Sequence, residues 1–242
     1  MNTEAPSKQD AIVADGKWRF DEEVTAAFDD MLKRSIPQYD VMRHTVFDIG
    51  RQFVQPKTTI VDLGCSRGES LQPFMDLFGA HNQYLGIEVS QPMIEAASAR
   101  MKGYIDCGVA RIQNLDLRYE YPMTPSSLTL SILTLQFTPI EYRQQIINSV
   151  YQHLLPGGCF ILVEKVMAAT HPLNQIMNSK YLNMKAEHGY TSEQIERKRL
   201  ALEGVLVPVT YKWNEELLHM AGFKHVDCFW RYCNFAGYVA IK

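Results

Sequence analysis

The hydrophobic positions of the chain fall into blocks with two alternating periods. Phe20, Val24, Ala27, Phe28 and Met31 recur at helical spacing, which predicts an amphipathic helix over 20–32 with Asp21, Glu22 and Glu23 suited to its first turn. Ser35-Ile36-Pro37-Gln38-Tyr39-Asp40 breaks that pattern, and a second helix is expected over 41–53. The β-branched and apolar run Thr59-Ile60-Val61-Asp62-Leu63 then reads as a buried strand. Beyond a Gly-containing turn the same alternation continues, with helices predicted over 69–78, 92–101 and 139–154 and strands over 83–87, 110–115, 127–133 and 159–164. The last of these strands is the most apolar and is expected near the centre of the sheet. Such alternation predicts parallel strands with helices on both faces. Residues 229–232 and 235–241 read as two closing strands joined through Cys233-Asn234. The stretch 171–207 reads as a helical insertion, with a capped restart at Thr191-Ser192-Glu193-Gln194 after His188-Gly189-Tyr190. The first 17 residues hold little apolar matter and are expected to form a loose tail, leaving 18–242 as one domain.

The chemistry is expected where the first strand ends. Gly64-Cys65-Ser66-Arg67-Gly68 joins that strand to a helix, the arrangement that brings free backbone N–H groups to the carboxyl edge of a sheet. The spacing Asp62-x-Gly64-x-x-x-Gly68 is not that of a dinucleotide fingerprint, and no Lys-Ser or Lys-Thr follows to hold a polyphosphate. A nucleoside without phosphates is the guest this turn fits. Tyr84-Leu85-Gly86-Ile87-Glu88 ends in a carboxylate about twenty residues further on, the distance at which an acid meets ribose hydroxyls. A third strand end offers Asp116 to the exocyclic amine of adenine and Leu117 as cover for the ring. Each acid alone is more often a helix cap. The ordered set resembles the S-adenosylmethionine (SAM) site of class I methyltransferases, a Rossmann-like α/β fold with an antiparallel C-terminal strand.

Composition narrows the picture further. A chain of 242 residues at 46% hydrophobic content can bury one sizeable core, and a net charge of −3 gives no overall basic field for nucleic acid. The five cysteines are scattered without paired zinc spacing, so reduced thiols, no metal and a cytoplasmic setting are expected. No apolar run approaches the roughly 20 residues of a membrane span.

Several motifs together carry a closer likeness. Trp18-x-Phe20-Asp21, Ser35-Ile36-Pro37-x-Tyr39, Asp62-Leu63-Gly64-Cys65-Ser66, Thr134-Leu135-Gln136-Phe137, Pro156-Gly157-Gly158 with Glu164-Lys165, Gly189-Tyr190 with Lys198-Arg199, and Asn234-Phe235 resemble the carboxy-S-adenosyl-L-methionine synthase family over 18–242. The resemblance implies transfer of a carboxyl group from prephenate to the methyl carbon of SAM. It also implies a homodimer, and a product that a separate transferase uses on a tRNA wobble uridine. Carried over by position, Tyr39 contacts the ligand, Gly64, Cys65 and Ser66 hold its methionine part, Glu88 and Val89 lie at the ribose, and Asp116 and Leu117 lie at the adenine. Arg199, supplied by the neighbouring subunit, pairs with the added carboxylate, which a guanidinium can grip through two parallel hydrogen bonds. Arg199 and Tyr39 are the residues on which the resemblance places the chemistry.

Two departures from the family pattern stand out. Ile132 occupies a ligand-contact position where the family typically has Asn, so that hydrogen bond is lost or passes to Ser131 or Thr134, and Glu88-Val89 replaces Asp-Asn. A small-molecule methyltransferase of the same fold and a non-catalytic binder of a SAM derivative therefore stay open as alternatives. Taken alone, Arg197-Lys198-Arg199 reads more readily as a solvated helix face.

Overall fold

The computed structural model describes residues 9–242. In chain order its elements are α1 (Glu22–Ala26), α2 (Phe28–Ser35), α3 (Tyr39–Gly50), β1 (Thr59–Leu63), α4 (Gln72–Phe78), β2 (Gln83–Glu88), α5 (Gln91–Arg100), α6 (Lys102–Asp106), β3 (Ala110–Asn114) and β4 (Ser126–Ile132). There follow α7 (Ile140–His153), β5 (Leu154–Met167), α8 (His171–Glu187), α9 (Ser192–Leu202), β6 (Val209–Thr210), α10 (Tyr211–Ala221), β7 (His225–Tyr232) and β8 (Phe235–Ile241). The main sheet has the order β3-β2-β1-β4-β5-β8-β7, with β6 paired to the end of β5. Strands β1 to β5 run parallel, and β8 lies antiparallel between β5 and β7.

Strict alternation along the inner strands sends side chains to two separate cores. Ile60, Tyr84, Leu128, Leu130, Ile161 and Val163 pack on one face with α3 and α4, whereas Val61, Leu63, Leu85, Ile87, Phe160 and Leu162 pack on the other with α7 and α10. Both sides of a largely parallel sheet are thus covered, which is why these strands read as continuous apolar runs. A third cluster, built from Ile12, Trp18, Val24, Phe28, Met31, Met93 and Ala201, joins the N-terminal helices to α9. The backbone continues this link where Trp18 N–H donates to the Ala201 carbonyl at 2.9 Å.

Several boundaries differ from expectation, each for a local reason. The helix expected over 20–32 is two helices that meet at Ala27, and Thr25 Oγ1 back-bonds to the Asp21 carbonyl at 2.6 Å, a contact that bends helices. The helix expected from Glu69 begins at Gln72, with Pro73 in its first turn, where a proline lacks no needed N–H. The 171–207 insertion, by contrast, divides where the restart was expected, into α8 and α9. Gly189, at φ +85°, makes the break, and a reciprocal Thr191–Gln194 capping box restarts the chain as α9. Helix α10 was not among the expected elements, although Thr210 caps its start and Gly222 ends it at φ +112°.

Of the tail expected over 1–17, residues 1–8 lie outside the described residues, while the remainder is built into the fold. Asp10 is 1% exposed and accepts from Tyr190 Oη and Lys198 Nζ, and Arg34 Nη1 donates to its carbonyl at 3.0 Å. A sparse hydrophobic pattern missed this segment because a buried polar network, rather than an apolar face, holds it.

Candidate active site

The carboxyl ends of β1, β2, β4 and β5, roofed by α2, α3, α8 and α9, enclose a cavity of about 410 Å³. That volume lies in the range of small-molecule sites. Tyr39, Gly64, Cys65, Ser66, Glu88, Val89, Asp116, Leu117 and Ile132 all line it. Arg199 does not. Its side chain is half exposed at 50%, pairs with Glu196 on its own helix at 2.8 Å, and borders a second hollow of about 270 Å³.

The turn after β1 is shaped by close approach. Gly64 has φ +73°, and a Cβ placed there would stand 2.3 Å from Thr134 Cγ2 and 2.4 Å from Thr134 Oγ1. At Gly86 an added Cβ would meet Cys65 Sγ at 2.6 Å, so this glycine makes room for the buried thiol. Ser66 and Leu133, both on the cavity wall, hold positive φ of 47° and 61° without being glycine. Such conformations cost on the order of 1 kcal/mol each and persist where surrounding structure imposes them.

The expectation of free turn N–H groups is corrected here. Gly64 and Cys65 N–H both donate to the Ile87 carbonyl at 2.8 and 2.9 Å, Gly68 N–H donates to the Cys65 carbonyl at 2.7 Å, and Ser66 N–H donates to Glu88 Oε2 at 2.9 Å. Parallel pairing of β1 with β2 carries the turn onto the end of β2, and that neighbour consumes the donors. At Gly64, Cys65, Ser66 and Gly68 the turn offers shape rather than free donors.

Glu88 also accepts from Val89 N–H at 2.8 Å and Ser90 N–H at 2.9 Å, both on Oε1. Three of about four lone-pair positions of a carboxylate are then used, leaving Oε2 one for a hydroxyl. The backbone fixes the carboxylate before a ligand arrives. Asp116 lines the cavity but is clasped by Arg118, whose Nη2 reaches Oδ2 at 2.5 Å, and this bond holds the carboxyl below its ordinary range. Ile132 presents an apolar face to the cavity. Of its two suggested substitutes, Ser131 is fully buried and Thr134 lines the wall, so Thr134 is the hydroxyl available there.

Other parts of the site were given no role from the sequence, although Asp62 and Glu164 belong to motifs noted there. Arg43, one turn beyond Tyr39 on α3, donates to Ser70 Oγ at 2.6 Å and lies 5.9 Å from the Tyr39 ring centre. Burial raises the Tyr39 hydroxyl to about 12. Beneath the turn, Asp62 is 1% exposed, neither of its oxygens receives a hydrogen bond, and burial lifts its carboxyl to about 7 against the pull of Arg43 and the nearby Ser70 hydroxyl. Glu164 is likewise raised to about 8 by burial, although Leu135 N–H donates to it at 3.0 Å.

The opposite wall is basic. Lys165 at the end of β5 and Lys185 on α8 both lie against the Tyr181 ring, at 4.5 and 5.7 Å from its centre. Burial brings each ammonium down to about 8, with Lys198 and Lys165 adding repulsion at Lys185. Lys198, read from sequence as part of a solvated run, is 2% exposed and ion-paired to Asp10. The usable signals were the Glu164-Lys165 dipeptide and a lysine beside Gly189-Tyr190, but charge alone does not tell a buried ammonium from a solvated one.

A parallel sheet with an antiparallel penultimate position, a glycine turn at the end of β1 and an acid at the end of β2 define a class I SAM-dependent methyltransferase fold. Residues 61–160 match a methyltransferase domain family model. Human N-acetylserotonin methyltransferase, solved with SAM, superposes with a TM-score of 0.59 at 14% identity over 91% of this chain and 55% of that one. An O-methyltransferase family protein from Burkholderia thailandensis gives 0.63 at 16% identity over 92% of this chain and 60% of that one. At such identities the likeness speaks for the fold.

The sequence relatives are closer. The carboxy-S-adenosyl-L-methionine synthase of Methylococcus capsulatus is 37% identical over 92% of this chain and 93% of its own length, and that of Staphylococcus epidermidis is 37% identical over 93% and 97%. The Shewanella putrefaciens enzyme of the same name is 33% identical over 100% of both chains. The chain belongs to the carboxy-S-adenosyl-L-methionine synthase family, and it is a transferase that uses SAM.

Among the described residues no helix is long and apolar enough to cross a membrane, and no group of three or more His, Cys, Asp or Glu could hold a metal ion.

Proposed function

We propose that the protein makes carboxy-S-adenosyl-L-methionine by moving a carboxyl group from prephenate to the methyl carbon of SAM, as a cytoplasmic homodimer. The observation that carries this reading is that nine positions expected to contact such a ligand, from Tyr39 to Ile132, converge on one cavity. In this reading Glu88 Oε2 takes one ribose hydroxyl, Leu117 covers the adenine, and Asp116, whose two oxygens each accept twice from Arg118, gives up one of those contacts to receive the adenine amine. Tyr39 meets the methionine end, and Thr134 replaces the contact that Ile132 cannot make. The sulfonium acidifies the methyl group: the ring–carboxyl bond of prephenate breaks to release carbon dioxide as the ring expels its hydroxyl and becomes aromatic, that hydroxide takes the methyl proton and leaves as water, and the methylene carbanion left on the sulfonium bonds to the carbon dioxide.

Arg199 supports the dimer. It lies outside its own chain's main cavity and among the described residues is paired only with a half-exposed Glu196 on the same helix, so a second copy could draw on it for the added carboxylate. Exposed Leu173, Ile176 and Leu200 on the same insertion offer apolar area for that contact. The product then passes to a separate transferase acting on a tRNA wobble uridine, and this chain itself binds no nucleic acid.

Mass spectrometry of the ligand released from purified protein tests the assignment, together with incubation of SAM-loaded protein with prephenate. A SAM derivative with one hydrogen replaced by a carboxyl group is expected in both samples. Recovery of SAM or its demethylated form alone, with prephenate untouched, would favour the small-molecule methyltransferase reading, for which Ile132 is the specific motive.

A further inference from the structure

The cavity's charges are compensated at one end and left open at the other. Glu69 is paired with Arg100 at 3.1 Å, Asp116 with Arg118, and the Glu88 carboxylate is wrapped in backbone N–H groups. On the basic wall Lys198 has Asp10. Lys165 and Lys185 have no such partner: among the described residues neither ammonium donates a hydrogen bond or meets a carboxylate within 4.0 Å, and what they face is aromatic, the Tyr181 ring for Lys165 and the Tyr190 ring at 5.0 Å together with the Tyr181 ring for Lys185. An aromatic face offsets part of the lost hydration of an ammonium, but it accepts none of its three N–H donors.

Two unpaired, desolvated ammonium groups around one aromatic ring are a costly arrangement for a fold to keep. The fold supplied a carboxylate for the third lysine of the cluster, so local chemistry did not forbid one here. Lys165 is held in place from its backbone, where its N–H donates to Gln136 Oε1 at 2.7 Å, and Tyr181 is braced by Phe235 at 5.5 Å between ring centres. Lys165, Tyr181 and Lys185 also line the second hollow, so the pair stands in the wall between the two spaces and reaches both.

We infer that Lys165 and Lys185 form the anion site that holds the two carboxylates of the carboxyl donor. A dicarboxylate brings one charge for each ammonium and turns the costly pair into two charge-assisted contacts. The inference rests on the proposed reaction and deepens it, because the resemblance assigns the carboxylate of the product to Arg199 and assigns nothing to these lysines. It also gives the donor a position: across the cavity from the Gly64 turn and the Glu88 carboxylate, so that SAM lies between the acidic and basic walls.

The test uses the full chain with Lys165→Met and Lys185→Met, which keep side-chain length and remove the charge. Each variant should raise KM for prephenate at least about tenfold, equivalent to about 1.4 kcal/mol. The Kd for SAM by calorimetry should stay within about twofold, and the melting temperature should be unchanged or higher because a desolvated charge has gone. An unchanged KM overturns the inference. So does a fall in melting temperature accompanied by equal losses for prephenate and SAM, since that marks the lysines as structural. If the wild-type protein fails to turn over prephenate, the proposed reaction falls separately, and binding then decides the lysine pair. The SAM-loaded wild type should hold benzylmalonate at least about tenfold more tightly than 3-phenylpropionate, which lacks one carboxyl group, and both Met variants should lose that preference. Equal binding of the two probes by the wild type overturns the inference.

Discussion

Asp62→Asn should remove a pH dependence that one buried carboxyl imposes on the fold. Burial carries this group from an ordinary 3.8 to about 7, while Arg43 and Ser70 oppose the rise and Glu69 and Glu88 add to it. Between those values the unfolded chain has released the proton and the folded chain still holds it. Folding stability is therefore fully present below 3.8, falls as the pH rises, and is lost once the folded group ionises above about 7. At about 1.4 kcal/mol per pKa unit, the window of roughly three units amounts to about 4 kcal/mol. Asparagine does not titrate, so the stability of the variant relative to wild type should climb by about that amount between about pH 4 and pH 8. Urea unfolding followed by the fluorescence of Trp18, Trp213 and Trp230 measures it. Taking the difference between the two proteins cancels other buried acids, Glu164 among them. A difference that stays constant across this range would refute the reasoning, because it would mean that Asp62 ionises at the same pH folded and unfolded.

Three further outcomes are expected. Gly64→Ala combines a left-handed backbone with a Cβ that cannot coexist with Thr134, and should destabilise the fold by about 2 to 5 kcal/mol while abolishing SAM binding; chemical denaturation and calorimetry report the two effects, and a variant that binds SAM normally would contradict the cradle. Asp10→Ala strands the buried Lys198 ammonium and the Tyr190 hydroxyl, a loss of about 3 to 5 kcal/mol that should also expose the chain near Lys17 and Arg19 to trypsin; wild-type stability and resistance would show that the N-terminal segment is not held by this network. Arg199→Ala should weaken the carboxylated nucleoside far more than SAM in calorimetric titration, and mixed dimers with a chain disabled at Asp62 should regain about one working site; equal losses for both ligands, or inactivity of every mixture, would count against Arg199 as a carboxylate contact made across a dimer.

The sequence by itself determined the framework of the site. Alternating apolar runs at 59–63, 83–87 and 159–164 are strands in the structure because a sheet covered on both faces needs apolar residues on both. The helix restart at Thr191 was legible because a capping box uses residues three apart. The glycines after β1 marked the turn, and family-specific motifs gathered the cavity residues before any coordinates. Helix α10 carried its own cap and stop and could have been read in the same way. Partnership was what the sequence could not supply. The Gly64 and Cys65 donors are consumed by Ile87, and the Ser66 donor by Glu88, because strand pairing at β1 and β2 brings those groups together. Lys198 is buried because Asp10, 188 positions away, meets it. Lys165 and Lys185, 20 positions apart on different elements, share the Tyr181 ring. Burial and pairing of charge depend on which distant segments meet, and for these side chains tertiary packing alone decides whether a lysine is a solvated handle or a binding group.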